Sequence, residues 1–133
     1  MNGSTAVKTH EILVVDDEST ICDFLTRALK EDNFNVTAMT DPSNVLKAVE
    51  EHRPCLLILD LNMPGKSGLE VLREMKQSWP DVPVVLISGC PTPAAKDEAR
   101  RLGACDFLAK PINWNYLRNI AHLSAFLKQS TRA

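Results

Sequence analysis

The sequence predicts one α/β domain, in which helices cover both faces of a parallel β-sheet. Five short apolar runs, among them residues 12–15 and 56–59, alternate along the 133-residue chain with stretches of helical periodicity. The clearest runs have no internal polar residue, which is typical of strands buried on both faces of a parallel sheet. Regular alternation of strands and helices therefore favours a parallel sheet with helical connections.

Each predicted strand leaves room for one helix before the next strand begins. The predicted strands are residues 11–15, 35–39, 56–59, 84–87 and 106–108. The first helix follows the first strand, and its apolar side chains recur at helical spacing. We predict that this stripe faces the sheet: Ile21, Phe24, Leu25, Ala28 and Leu29.

The next three helices have recognisable ends. Each begins at a side chain that can cap a helix, followed by Pro or Gly, and each ends near Pro or Gly. They are predicted to run from Asp41-Pro42 to His52, from Ser67-Gly68 to Trp79, and from Thr92-Pro93 to Leu102-Gly103. The last of these helices has few apolar side chains, and most of them are small, so we expect it to be held less firmly than its neighbours.

Length and composition limit the classes of protein to which this chain can belong. Residues 11–128 are predicted to form the domain, with residues 1–10 as a tail and residues 129–133 as a second tail or the start of a linker. A net charge of −2, with both signs interspersed, argues against direct binding of nucleic acid. No apolar run could span a membrane, so we expect a cytoplasmic protein. The four cysteines lack paired spacing and are expected to be reduced thiols.

Three carboxylates follow two of the apolar runs. Asp16 and Asp17 come directly after the first predicted strand, and Asp60 comes after the third. Because the carboxyl ends of parallel strands meet at one edge, we expect the three to lie close together. Like charges at that range raise each other's pKa until a proton or a cation intervenes. Oxygen ligands without a nearby His or Cys favour Mg²⁺ over Zn²⁺. The alternative is that Asp16 and Asp17 only cap the following helix.

Two further polar residues end later strands, Ser88 after the fourth and Lys110 after the fifth. An acidic cluster with a lysine and a hydroxyl is typical of a site that binds a phosphoryl group. The cation and the ammonium neutralise charge, Ser88 donates a hydrogen bond, and a carboxylate attacks phosphorus. Asp60, alone at the end of the central strand, is the predicted nucleophile. The alternative for Lys110 is an ordinary solvated lysine.

Taken in order, these motifs resemble the receiver domains of two-component response regulators, including the chemotaxis regulators. The residues that carry the resemblance are Asp16-Asp17-Glu18, Asp60 with Met63-Pro64-Gly65 and Gly68, Ser88-Gly89, Gly103-Ala104 with Asp106-Phe107, and Lys110-Pro111. The resemblance implies a flavodoxin-like, doubly wound sheet of five parallel strands in the order 2-1-3-4-5. It also implies a cis peptide bond between Lys110 and Pro111.

The resemblance further implies a chemistry and a switch. A sensor histidine kinase or a phosphotransfer protein would phosphorylate Asp60. Magnesium would be held by Asp16, Asp60 and the backbone carbonyl of Asn62, with Asp17 bound mostly through water. Phosphorylation would draw the Ser88 hydroxyl toward the phosphoryl group and turn Phe107 inward. Such a domain is a phosphoacceptor in signalling, and it catalyses only its own phosphorylation and dephosphorylation.

The last predicted helix, residues 114–128, is more apolar than a packed surface helix requires. We hypothesise that Tyr116, Leu123 and Phe126 belong to a partner surface. Receivers commonly use the face formed by helix 4, strand 5 and helix 5 for an effector, an output domain or a second copy. The alternative is that a further C-terminal segment covers these residues.

Other functions fit the sequence less well. A phosphatase of the haloacid dehalogenase class needs a second Asp two residues after its nucleophile, where this chain has Asn62. A flavodoxin-like electron carrier needs a phosphate loop after the first strand, where Asp16 and Asp17 would repel the flavin phosphate. The alternative function is a pseudo-receiver, an interaction module that is never phosphorylated.

Overall fold

The structure is a computed structural model that describes residues 9–131. Its strands are β1 (Glu11–Val15), β2 (Asn35–Met39), β3 (Leu56–Asp60), β4 (Val84–Ser88) and β5 (Asp106–Ala109). They form one parallel sheet in the order β2-β1-β3-β4-β5, so the predicted fold class and strand order are confirmed. Strands β3, β4 and β5 each extend one residue past their predicted ends. The added residues include Asp60 and Ser88.

Helices cover both faces of the sheet. They are α1 (Ser19–Glu31), α2 (Val45–His52), α3 (Gly68–Ser78), α4 (Pro93–Arg101) and α5 (Trp114–Thr131). Alternate residues of β1 enter two separate cores, because successive side chains of a strand point to opposite faces. Leu13 and Val15 pack with α2 and α3, whereas Ile12 and Val14 pack with α1 and α5.

The predicted helix starts are present. The Ser67 hydroxyl accepts a hydrogen bond from the Glu70 amide (3.3 Å), and the Glu70 side chain accepts one from the Ser67 amide, which completes a capping box. The Thr92 hydroxyl accepts from the Ala95 amide (3.1 Å) at the start of α4. Asp41 caps a short 3₁₀ turn (Pro42–Asn44) that precedes α2, so this segment begins more tightly wound than predicted.

The predicted apolar stripe of α1 is wrong at Phe24. Its ring is half exposed and meets the ring of Trp114 edge-on, with centroids 6.3 Å apart, while Cys22 faces the core instead. The helical period gives the spacing of a stripe but not its angular position, which here is set by α5 lying beside α1. The C-terminal end of α5 continues past the predicted Lys128 to Thr131, since no helix-stopping residue intervenes.

The four cysteines are free thiols, with Cys22 and Cys55 buried. No helix within residues 9–131 is both long enough and apolar enough to cross a bilayer. The predicted tail at residues 1–10 lies mostly outside the described residues, as do residues 132 and 133.

Candidate functional site

Backbone hydrogen bonds continue the sheet ladder one step beyond the strands and fix the positions of the candidate side chains. The Leu61 amide donates to the Ile87 carbonyl, and the Lys110 amide donates to the Ser88 carbonyl, each at 2.8 Å. These bonds lie at the carboxyl edge, where parallel strands expose their last residues to one shared opening.

Three carboxylates converge at this edge. Oxygen atoms of Asp16, Asp17 and Asp60 all lie within 4.8 Å of one another. Asp16 and Asp60 are buried, whereas Asp17 is exposed. Burial and the nearby Asp16 carboxylate raise the pKa of Asp60 to about 7, against the opposing effect of the Lys110 ammonium. The cluster therefore holds more negative charge than one lysine compensates.

The donor set fits a hard divalent cation. Asp16 Oδ1 accepts a hydrogen bond from the Glu18 amide (2.9 Å), whereas the buried Asp16 Oδ2 makes no hydrogen bond of regular geometry and lies 3.0 Å from Lys110 Nζ. That one ammonium is shared among the carboxylates of Asp16, Glu18 and Asp60, so the cluster can accommodate a further cation. Carboxylate oxygens without nitrogen or sulfur ligands suit Mg²⁺. The Asn62 carbonyl stays a predicted ligand.

Lys110 provides the positive charge of the site. Its Nζ lies 2.5 Å from Glu18 Oε1, 3.0 Å from Asp16 Oδ2 and 3.7 Å from Asp60 Oδ1. Burial disfavours the ammonium form, but its interactions with Glu18 and Asp16 outweigh that effect and raise the pKa of Lys110. Lys110 is therefore a fixed cation rather than a proton carrier near neutral pH, and it is not an ordinary solvated lysine.

Ser88 lies on the opposite side of Asp60 from β1, at the end of β4. Its hydroxyl oxygen accepts hydrogen bonds from the Cys90 amide (3.1 Å) and from the Asn62 side-chain amide (3.4 Å). A cavity of about 240 Å³ opens above these groups, lined by Asp17, Glu18, Asp60, Asn62, Gly89, Cys90 and Lys110. Three of the five predicted chemical residues, Asp17, Asp60 and Lys110, thus line one small opening. The other two, Asp16 and Ser88, are buried and contact the lining residues Lys110 and Asn62.

Sequence reasoning missed the partner of Lys110 and the partner of Ser88. Glu18 was part of the motif Asp16-Asp17-Glu18, yet only the fold shows that its carboxylate meets a lysine far along the chain. Asn62 was predicted to contribute its backbone carbonyl, whereas its side chain contacts Ser88. One signal could have indicated the contact of Glu18 with Lys110. Glu18 is the N-cap residue of α1, yet Glu is not a preferred N-cap residue and its side chain makes no capping bond.

The remaining predicted residues lie outside the cavity. Phe107 on β5 is partly buried and packs against the core beneath α2, α3 and α4. Tyr116, Leu123 and Phe126 on α5 are 47%, 57% and 65% exposed. The Tyr116 hydroxyl donates to Asp106 Oδ2 (2.5 Å), which ties this end of α5 to β5. The peptide bond between Lys110 and Pro111 is cis, as the resemblance implied.

Comparisons with known proteins agree with this fold. The family model for the response regulator receiver domain matches residues 12–122. The chain is similar to the receiver domain of NtrX from Brucella abortus, at 35% identity and a TM-score of 0.78, over 85% of this chain and 96% of that one. It is similar to a response regulator receiver domain protein from Clostridium thermocellum, at 29% identity and a TM-score of 0.83, over 90% of this chain and 97% of that one.

The fold alone is shared with the chemotaxis protein CheY4 of Vibrio cholerae, at 24% identity and a TM-score of 0.81, over 88% of this chain and 99% of that one. The family match covers most of the chain and includes every residue of the acidic edge. The chain therefore belongs to the response regulator receiver domains of two-component systems.

Proposed function

We propose that the chain accepts a phosphoryl group on Asp60 from a histidine kinase or a phosphotransfer protein, with Mg²⁺ as cofactor. The observation that carries the proposal is the convergence of Asp60 with two further carboxylates and Lys110 beside one cavity, with Ser88 in contact with the cavity residue Asn62. A purely structural cluster of this kind would leave uncompensated negative charge at the sheet edge. A phosphoryl site accounts for both the acids and the lysine.

The chemistry is an in-line displacement at phosphorus. An ionised Asp60 oxygen attacks, an O–P bond forms, and the bond from phosphorus to the donor breaks. The electron pair of that bond leaves with the donor, which is imidazole from a phosphohistidine or acetate from acetyl phosphate. Lys110 neutralises charge on the phosphoryl oxygens, and the Ser88 hydroxyl donates to one of them.

Asp16 and Asp60 would hold the Mg²⁺ directly, with Asp17 at its exposed side and the Asn62 carbonyl as a further ligand. When bound, the ion supplies positive charge to the phosphoryl oxygens and keeps Asp60 ionised near neutral pH. Both effects favour transfer, because the nucleophile must be a carboxylate and the incoming group is an anion.

The test is the intact mass of the protein after incubation with acetyl phosphate and Mg²⁺. We expect a gain of one phosphoryl group that hydroxylamine removes, since an acyl phosphate reacts with this nucleophile. Asp60→Ala should abolish the gain, and the matched variant Asp81→Ala, at an exposed carboxylate before the amino end of β4 and so on the opposite edge of the sheet, should retain it. No gain in the wild-type protein across donors would contradict the proposal and favour the pseudo-receiver function.

We also propose that the face of α4, β5 and α5 carries the output. Tyr116, Leu123 and Phe126 offer exposed apolar area there, and β5, which carries Phe107, pairs directly with β4, which carries Ser88. The predicted partner is an effector, an output domain or a second copy. Light scattering with Mg²⁺ and beryllofluoride, an analogue of the phosphoryl group, tests whether the partner is a second copy. A monomer under those conditions would contradict the homodimer.

A further inference from the structure

The Lys110 side chain is turned toward Glu18, at the start of α1, rather than toward Asp60. Its Nζ donates a hydrogen bond to Glu18 Oε1 at 2.5 Å and lies 3.0 Å from Asp16 Oδ2, while Asp60 Oδ1 is 3.7 Å away and outside hydrogen-bonding distance. An ammonium has only three N–H donors, and the two carboxylates nearest to Lys110 Nζ are those of Glu18 and Asp16. The Lys110 ammonium is therefore directed mainly at these two groups and not at Asp60.

From this geometry we infer that Glu18 is a positioning residue that competes with the phosphoryl group for Lys110. The inference rests on the proposed function, because the competitor of Glu18 is the group on Asp60. In the unphosphorylated state Glu18 holds the ammonium at the rim of the cavity. When a phosphoryl group is present, Lys110 exchanges the carboxylate for a phosphoryl oxygen, and Glu18 is released to solvent.

The environment of Glu18 suits a releasable partner. Its side chain is 55% exposed, whereas that of Lys110 is only 14% exposed. An exposed carboxylate regains full hydration when its ion pair breaks, so its release has a small cost. The Glu18 backbone is meanwhile fixed, because its carbonyl accepts from the amides of Ile21 and Cys22. Only the side chain has to move.

The helix itself does not explain why a glutamate stands here. Glu18 is the N-cap residue of α1 and makes no side-chain capping bond, although its backbone is extended as a capping residue requires. Ser, Thr, Asp or Asn would stabilise the helix better at this position. A glutamate reaches further, and here its carboxylate reaches Lys110.

The test is the affinity of the Mg²⁺-loaded protein for beryllofluoride, measured by ¹⁹F NMR on wild type, Glu18→Gln and Glu31→Gln. Glu31, the exposed last residue of α1, provides the same change of charge about 20 Å along the helix. We expect Glu18→Gln and Glu18→Ala to bind beryllofluoride about two- to fivefold more tightly, because a partly exposed ion pair no longer competes. Glu31→Gln should match wild type.

Two further measurements separate competition from other roles. Mg²⁺ affinity should change less than about twofold in Glu18→Gln, since an exposed charge acts weakly through solvent. In a Lys110→Ala background the Glu18→Gln gain should disappear, because the effect passes through Lys110. A gain that persists without Lys110 would reveal a general charge effect, and a loss of Mg²⁺ affinity would make Glu18 a metal ligand. Either result would overturn the inference.

Failure of the inference and failure of the proposed function have different signatures. If wild type binds beryllofluoride and Glu18→Gln binds no more tightly than Glu31→Gln, competition is refuted while Asp60 remains the acceptor. If no variant binds beryllofluoride and acetyl phosphate adds no mass, the proposed function itself is refuted.

Discussion

The centre of the sheet and its β5 edge differ sharply in how they are held. Every residue of β3 and β4 is buried, and α3 covers them with Val71, Leu72 and Met75. Strand β5 is only partly buried and pairs with β4 alone, and Ala99 is the one buried residue of α4. Asp60 and Ser88 stand on the first region, and Lys110 and Phe107 on the second. The proposed acceptor Asp60 is therefore held by the buried centre of the sheet, while Lys110 and Phe107 lie at its less buried edge.

The largest expected difference between the two regions is in the free energy of unfolding that is lost when an apolar side chain is truncated to alanine. Ile58→Ala on β3 should lower the free energy of unfolding by about 3–4 kcal/mol, because a fully buried side chain leaves a cavity. Leu102→Ala, beside α4, should lower it by about 1 kcal/mol, because its side chain is partly exposed. Urea denaturation measures both values. Equal losses of unfolding free energy in the two variants would contradict the difference between the centre of the sheet and its β5 edge.

A close backbone approach below Asp60 should give the next largest effect. A Cβ at Gly68 would lie 2.4 Å from the Asp60 carbonyl oxygen and 2.8 Å from Leu61 Cα, and neither backbone atom can rotate away. Gly68→Ala should therefore cost about 2–3 kcal/mol. Gly89→Ala is the matched control, because nothing lies within 4 Å of its added methyl group. Urea titrations that found the two variants equally stable would refute this tight packing.

The acidic cluster should destabilise the metal-free protein at high pH. Asp60 has a raised pKa of about 7 in the fold, against an ordinary value of 3.8, so the unfolded chain loses this proton first. The stability contribution is fully present below pH 3.8 and is lost as the pH rises to about 7. Asp60→Asn should therefore be more stable than wild type by about 2 kcal/mol at pH 8, with the difference vanishing near pH 4.

Thermal unfolding in EDTA at the two pH values measures this effect. Mg²⁺ should narrow the gap at pH 8, because the ion stabilises only the carboxylate form by mass action. Asp17→Asn, at the exposed acid, should give a smaller gain. An Asp60→Asn variant that is less stable than wild type at pH 8 would contradict the proposed charge excess.

The smallest effect concerns helix caps. Ser67→Ala should lower global stability by about 1 kcal/mol, because α3 unfolds with the core. Thr92→Ala removes an equivalent bond from α4, yet it should change global stability by less than about 0.5 kcal/mol and speed amide exchange within α4 instead. If both variants lose the same global stability, α4 is as firmly held as α3.

The sequence predicted most of the fold because its strands are apolar on both faces and its helices carry strong end signals. The weak packing of α4 was also visible, since its inward side chains are mostly alanine. The orientation of α1 could not be predicted, because the exposure of Phe24 depends on where α5 lies. Contacts between distant segments could not be predicted either. Glu18 and Lys110 are 92 residues apart, and only the topology brings them together.

The most direct test of the central claim is amide hydrogen exchange with and without Mg²⁺ and beryllofluoride, with Asp60→Asn as the unligated control. We predict that exchange changes by more than about tenfold in α4, β5 and the loop that precedes α4, and by less than about twofold in β1 and β3. Binding that is complete by ¹⁹F NMR but alters β1 and β3 as much as β5 would contradict a fixed acceptor and a responsive edge.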